Sequence, residues 1–297
     1  MTGLVREQAH PVALPQSRPH LAIGRLPLHF VMILITLVWI TPTAGLLISS
    51  FRPPQAVNQS GWWTALQPPF TFTIENYQRV LTTNNLGASF INSLFVSIPA
   101  TVIPILIAAF AAYAFAWMSF PGRTALFLVV VGLLVVPLQM TLIPILQLFT
   151  ELGLTGTFVG IWLAHTGYGL PFATYLLRNF MGGLPREMLE AAYIDGASRL
   201  VVFFRLVLPV SVPAIASLAI FQFLWVWNDL LVALVYLGGS PDVAPMTVTV
   251  SNLVNSLGQN WQLLTAAAFL TMILPLALFF TLQQYFVRGI LAGSVKG

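Results

Sequence analysis

Six long intervals of this chain contain no Asp, Glu, Lys or Arg: residues 26–51, 80–122, 124–150, 152–177, 206–228 and 243–287. Each has room for a helix of about 20 residues, the length that crosses a hydrocarbon layer of about 30 Å. Only 7% of the 297 residues are charged and 58% are hydrophobic, where a soluble chain carries about 25% charged residues. In lipid, backbone hydrogen bonds close either within helices or around a barrel, and no barrel-like alternation is present. The expected fold class is all-α: a polytopic membrane protein with six transmembrane helices at 28–50, 89–117, 125–147, 157–177, 206–231 and 263–284. Pro42, Pro99, Pro104, Pro137, Pro144, Pro171, Pro209, Pro213 and Pro275 lie in or beside these spans. They predict kinks whose freed carbonyls neighbouring groups must satisfy.

With the N-terminus in the cytoplasm, Arg6, Arg18, Arg25, Arg123, Arg178, Arg186, Arg199, Arg205, Arg288 and Lys296 fall inside, and only Arg52 and Arg79 outside. That is the positive-inside bias, and it predicts a multi-pass plasma-membrane chain with both termini cytoplasmic. The net charge of +4 follows from this topology. It calls for membrane lipid as the surroundings and no nucleic acid, which would want a basic patch. Residues 1–26 read as a cytoplasmic tail, 27–88 as the first transmembrane helix with an extracytoplasmic loop, 89–290 as the core, and 291–297 as a second cytoplasmic tail. No A-x-A site follows the first span, so signal cleavage is not expected. Trp62, Trp63, Phe70 and Phe72 give the outer loop aromatic anchors for the interface.

Several chemistries are excluded. Lys296 is the only lysine, so no phosphate-cradling Gly-Lys-Ser/Thr exists. Cysteine is absent and His10, His20, His29 and His165 lack ligand spacing with carboxylates, which argues against a metal site. No nucleophile, base and acid can be assembled. The chain is expected to be no enzyme and to bind no cofactor. His165, beside Thr166, Gly167 and Tyr168, reads as a packed, hydrogen-bonded side chain.

The charges that do exist concentrate in Leu184–Pro209, which holds Arg186, Glu187, Glu190, Asp195, Arg199 and Arg205. Pro185 suits the first position of a short helix, and Glu187 sits where a helix dipole favours an acid. Met188, Ala191 and Ala192 are spaced to share a small apolar face. Gly196 permits a turn, and Ser198 or Asp195 can cap a second helix through Phe204. Such a cytoplasmic knob suits either a groove on a soluble partner or the lipid surface.

Glu190-Ala191-Ala192, Asp195-Gly196-Ala197 and Leu208-Pro209 resemble the EAA coupling loop of ABC importer permeases. Trp225-Val226-Trp227-Asn228-Asp229 and the ending QQYFVRGILAGSVKG resemble the carbohydrate, maltose-type branch. The resemblance implies a permease subunit of an ATP-driven sugar importer, for oligosaccharides or α-glucosides. Its partners would be a second permease subunit, two ATPase subunits and an extracytoplasmic sugar-binding protein. ATP and Mg2+ would be used by the ATPase subunits alone. Glu190, Ala191, Ala192, Asp195, Gly196, Ala197 and Pro209 would couple this chain to them. Trp225, Trp227, Asn228 and Asp229 are candidates for the substrate path, since a carboxylate at a span end needs water or a partner, and indoles stack on sugar rings as well as anchoring at interfaces. Gln139 and Asn179 are weaker candidates. A secondary transporter would want intramembrane ionisable groups or repeat symmetry, and a glycerol 3-phosphate permease would want arginine near the path.

Overall fold

A chain this apolar and this poor in charge has one inexpensive way to close its backbone hydrogen bonds, and the computed structural model is helical throughout, with no strand among the described residues. These residues are 26–253 and 260–294, with side chains over 27–253 and 260–281. The chain forms two compact units, residues 1–45 and 46–297. The first contains most of helix α1 (Leu26–Ser50), where the Thr36 and Thr41 hydroxyls donate to the Met32 and Leu37 carbonyls at 2.7 Å.

The second unit begins with the last turn of α1, and a loop follows. It carries α2 (Pro54–Gln59) and α3 (Glu75–Thr82). Arg52 is only 3% exposed. Its guanidinium donates to the Ala56 carbonyl at 2.9 Å, the Ser60 carbonyl at 3.1 Å, and the hydroxyls of Ser60 and Thr64 at 2.6 and 3.2 Å. Burial holds its pKa below the usual arginine value, and the ring of acceptors offsets that cost. Arg52 therefore organises its own loop.

The core is built on α4 (Leu86–Trp117) and α7 (Phe158–Gly182), which run against each other, with α11 (Val212–Trp227) packed on both and α14 (Trp261–Ser294) on α11. Small buried residues permit this closeness: Ala100, Ala108 and Ala112 on α4, and Ala164 and Ala173 on α7. Between them lie α5 (Arg123–Leu133) and α6 (Leu138–Glu151), then α8 (Arg186–Ile194), α9 (Arg199–Val202), a π turn (Phe203–Val207) and α10 (Leu208–Val210). Beyond α11 come α12 (Leu231–Tyr236) and α13 (Met246–Ser251). The polar first turns of α4 hold this last connection: Asn92 donates to the carbonyls of Asp242 and Ala244, and Ser93 Oγ accepts the Met246 amide at 2.8 Å.

The prolines explain much of the packing. A proline frees the carbonyl four residues before it, and three such carbonyls are met by a side chain from another helix. Pro99 frees Phe95, which accepts Trp162 Nε1 at 2.7 Å. Pro104 frees Ala100, which accepts Gln222 Nε2 at 3.2 Å. Pro275 frees Thr271, which accepts Trp227 Nε1 at 3.2 Å. Trp227→Phe retains the ring that packs on Phe90 and Phe223 and withdraws only the N–H. It is expected to cost about 1 kcal/mol, the lower end for stranding a buried acceptor, read as a lowered Tm of the detergent-solubilised protein. An unchanged Tm would remove this role.

The six expected spans are only partly recovered. Among the described residues, three helices qualify by length and apolarity to cross a membrane: Pro27–Ser50, Leu86–Trp117 and Trp261–Thr281. Two bent pairs raise the number to five: α5 with α6, turned by 100°, and Arg199–Val210 with Val212–Trp227, turned by 70°. The expected 125–147 helix breaks at Pro137, which disfavours helical backbone in the residue before it. The expected 206–231 span ends at Trp227. The remaining expected span is α7, whose 25 residues measure about 37 Å. His165, Thr166, Pro171 and the glycines Gly160, Gly167 and Gly169 dilute its apolarity. Much of its surface is covered by protein, and a helix so enclosed needs less hydrophobicity than one facing lipid.

Candidate functional site

The knob is formed as a helix, a turn and a second helix. Pro185 stands one residue before the first helical position, and Glu187 lies in the first turn. Asp195 ends α8, and Gly196 follows at φ +80°, in the left-handed region where a side chain is penalised. The Ala197 amide then donates to the Ala192 carbonyl at 3.0 Å. Ser198 is the cap of the second helix, its hydroxyl accepting the Val201 amide at 3.4 Å. Pro209 has no amide to give Arg205. The turn ahead of it widens, and the Leu208 amide reaches back to Phe203.

One expectation about the faces is corrected. Met188, Ala191 and Ala192 do not share one face: Met188 and Ala192, with fully buried Leu189, pack inward on the cluster of Tyr113, Met181, Val202 and Phe203, while Ala191 is exposed. The outer face has the spacing 187, 190, 191, 194, and Glu187, Glu190, Ala191 and Ile194 are all exposed. Ile194 is 85% exposed, with Leu200 and Phe204 exposed nearby in the chain. Asp195 and Pro209 are exposed, and Ala197 is partly buried. The Tyr113 hydroxyl fixes the knob from beneath, donating to the Arg199 carbonyl at 3.1 Å and standing 3.2 Å from the Tyr193 hydroxyl. The result is a solvent-facing patch of two acids, one small residue and bulky apolar groups on a buried footing.

The other candidates scatter. Trp227 is 4% exposed and serves Thr271 as described. Asn228 is exposed, and its side-chain amide donates to the Leu224 carbonyl at 2.7 Å, closing the end of α11. Asp229 caps α12: its carboxylate accepts the Val232 amide at 3.2 Å and the Ala233 amide at 2.9 Å. His165 is wholly buried, 3.7 Å from that carboxylate, beyond hydrogen-bond reach. It meets Trp225 edge to face with ring centroids 5.3 Å apart. Contrary to expectation, neither of its ring nitrogens has a hydrogen-bond partner among the described residues. Of the four path candidates, Trp225 borders a sizeable cavity.

That cavity, of about 710 Å³, lies between the α5–α6 bend, α7 and Trp225. Its walls are mostly apolar, with Gln139, Thr141 and Tyr168 as polar groups and no charged residue. Tyr168 was not singled out from the sequence, and Asn179 lies elsewhere; the bend that brings residue 139 to residue 168 is not encoded in local periodicity.

Residues 16–292 match the family described as binding-protein-dependent transport system inner membrane component. The chain belongs to that family. Among its relatives, the permease is 60% identical to the osmoprotective compounds uptake permease protein GgtD of Synechocystis sp., over 92% of each chain. It is 58% identical to the alpha-glucoside transport system permease protein AglG of Rhizobium meliloti, over 84% of this chain and 67% of the relative. A bacterial ABC transporter involved in importing the acidic polysaccharide alginate shares the fold, with a TM-score of 0.73 and 20% identity over 92% of this chain and 99% of the other.

Proposed function

We propose that this permease is the subunit of an ATP-driven importer through which uncharged sugars, α-glucosides foremost, cross the membrane. The observation that carries the reading is the identity of 60% over 92% of each chain to the osmoprotectant permease, and of 58% over 84% of this chain to the alpha-glucoside permease. The uncharged cavity lining supports it, because an anionic solute such as glycerol 3-phosphate would want an arginine there. In this reading a second permease subunit, two ATPase subunits and an extracytoplasmic sugar-binding protein complete the importer. ATP and Mg2+ act only in the ATPase subunits. Both termini and the knob are cytoplasmic. Glu190, Ala191, Ala192, Asp195, Gly196, Ala197 and Pro209 form the coupling element. Nucleotide-driven closure of the ATPase pair moves the knob, and the knob moves the helices; both sites then bias one two-state assembly.

Deleting the chain is expected to abolish uptake of radiolabelled trehalose, sucrose or maltose while leaving glycerol 3-phosphate uptake intact. The opposite pattern would overturn the assignment. Glu190→Lys reverses a charge on the outer face of α8, and is expected to leave the protein in the membrane while lowering co-purification of the ATPase at least tenfold. Wild-type recovery with wild-type uptake would sink the coupling role.

A further inference from the structure

We infer that the cavity bordered by Gln139, Thr141, Tyr168 and Trp225 is a sugar-binding subsite contributed by this chain itself, taking one or two rings of an uncharged glycoside. The inference rests on the sugar reading above and deepens it. At about 710 Å³ the cavity falls within the usual range for small-molecule sites, about 300–1,000 Å³ with a few convergent polar groups on apolar walls. The polar cavity beside Asn84, Asn85 and Asn252, of about 230 Å³, is too small for a disaccharide.

The hydrogen bonding of the lining has a direction. The Thr141 hydroxyl donates to the Leu138 carbonyl at 2.7 Å, so towards Tyr168, 3.0 Å away, its oxygen accepts. The Tyr168 hydroxyl also stands 2.8 Å from that of Tyr236, which in turn lies 3.4 Å from the Leu142 carbonyl. Whichever way the Tyr236 proton points, the single Tyr168 proton is used within this relay. What Tyr168 offers the cavity is a lone pair. Gln139 is exposed, and its amide makes no hydrogen bond among the described residues; it supplies both donors and an acceptor. Acceptors, one amide and no charge match hydroxyls that donate and accept without carrying charge. Trp225, 38% exposed and bordering the same space, adds the aromatic surface on which the C–H face of a pyranose packs. Asn228 and Asp229, the polar residues just beyond Trp225, are committed to helix ends and take no part.

The test uses the complete importer in cells lacking the native gene, complemented with Gln139→Ala, Tyr168→Phe, Trp225→Ala or Trp225→Phe, with trehalose, sucrose and maltose as probes. Co-purification of the ATPase establishes assembly. Trp225→Ala is expected to reduce uptake at least tenfold and Gln139→Ala three- to tenfold. Trp225→Phe recovers most of the loss because the aromatic surface returns. Gln139 is exposed, so its variant reports on the site even if Trp225→Ala fails to assemble. Different losses for the three sugars support a recognition role, since a packing defect lowers all three alike. Equal losses for all sugars, or wild-type kinetics in both Gln139→Ala and Trp225→Phe together with no loss in an assembled Trp225→Ala, would overturn the subsite and leave the functional reading standing. If uptake of none of the three sugars depends on the chain, the functional reading falls and the subsite with it.

Discussion

Gly196→Val is expected to leave the permease in the membrane but to reduce ATP-driven uptake at least tenfold. Gly196 sits at φ +80° with nothing within 4 Å of where a Cβ would stand, so the penalty is backbone strain and not a clash. Left-handed backbone costs an ordinary residue about 1–2 kcal/mol, and a β-branched residue there is a true outlier. The inexpensive relief is to move φ negative, which swings α8 away from α9 and spoils the outer face on which Glu190 and Ala191 sit. The expected order of residual uptake is Asn, then Ala, then Val, because Asn tolerates this region best. Membrane abundance should not follow that order, since the packing of α4, α7 and α11 on one another lies outside the knob. Uptake by Gly196→Val equal to wild type would show that the turn has no part in coupling.

Gly169→Val should have the largest effect on the fold itself. A Cβ at Gly169 would lie 2.6 Å from the Gln222 amide nitrogen, a distance real Cβ atoms do not show. Gln222 is 5% exposed and donates to Ala100, the carbonyl freed by Pro104. Making room for a valine therefore displaces the donor that satisfies this freed carbonyl of α4. Overpacking costs about 1–3 kcal/mol and a stranded buried carbonyl about 1–3 kcal/mol more. The expected loss is about 3 kcal/mol, seen as a much reduced yield of monodisperse protein and a strongly lowered Tm. Gln222→Leu alone should reproduce only the hydrogen-bond share. If Gly169→Val is as stable as wild type, the α4–α7–α11 contact is looser than the structure has it.

How much of this was legible depended on how far apart in sequence the cooperating groups lie. The knob was readable because its parts are local: Glu187 in the first turn, Gly196 at the corner, Ser198 three residues before the amide it accepts. Its inner and outer faces were harder to assign, because Ala191 and Ala192 look alike until Leu189 is seen buried beside Tyr113. The packing role of Trp227 was not readable because its partner, the Thr271 carbonyl, is 44 residues away and is freed by Pro275. Asp229 looked like an expensive intramembrane charge, yet two amides three and four residues ahead receive it. The cavity was unreadable for a different reason. It depends on the 100° turn between α5 and α6, and periodicity reports which residues share a helix face, not where two helices meet.

The latched prolines carry a consequence for motion. At Pro99 and Pro104 α4 has no backbone bond to recover, because proline has no amide hydrogen to give, and parting from α7 or α11 would strip the Phe95 or Ala100 carbonyl of Trp162 or Gln222. Moving α4 alone therefore strands two acceptors, and the helix is tied to those that grip it. Among the described residues the sharp corners lie elsewhere, at residues 134–137 and beside Ser211, and the second adjoins the segment that bears the knob.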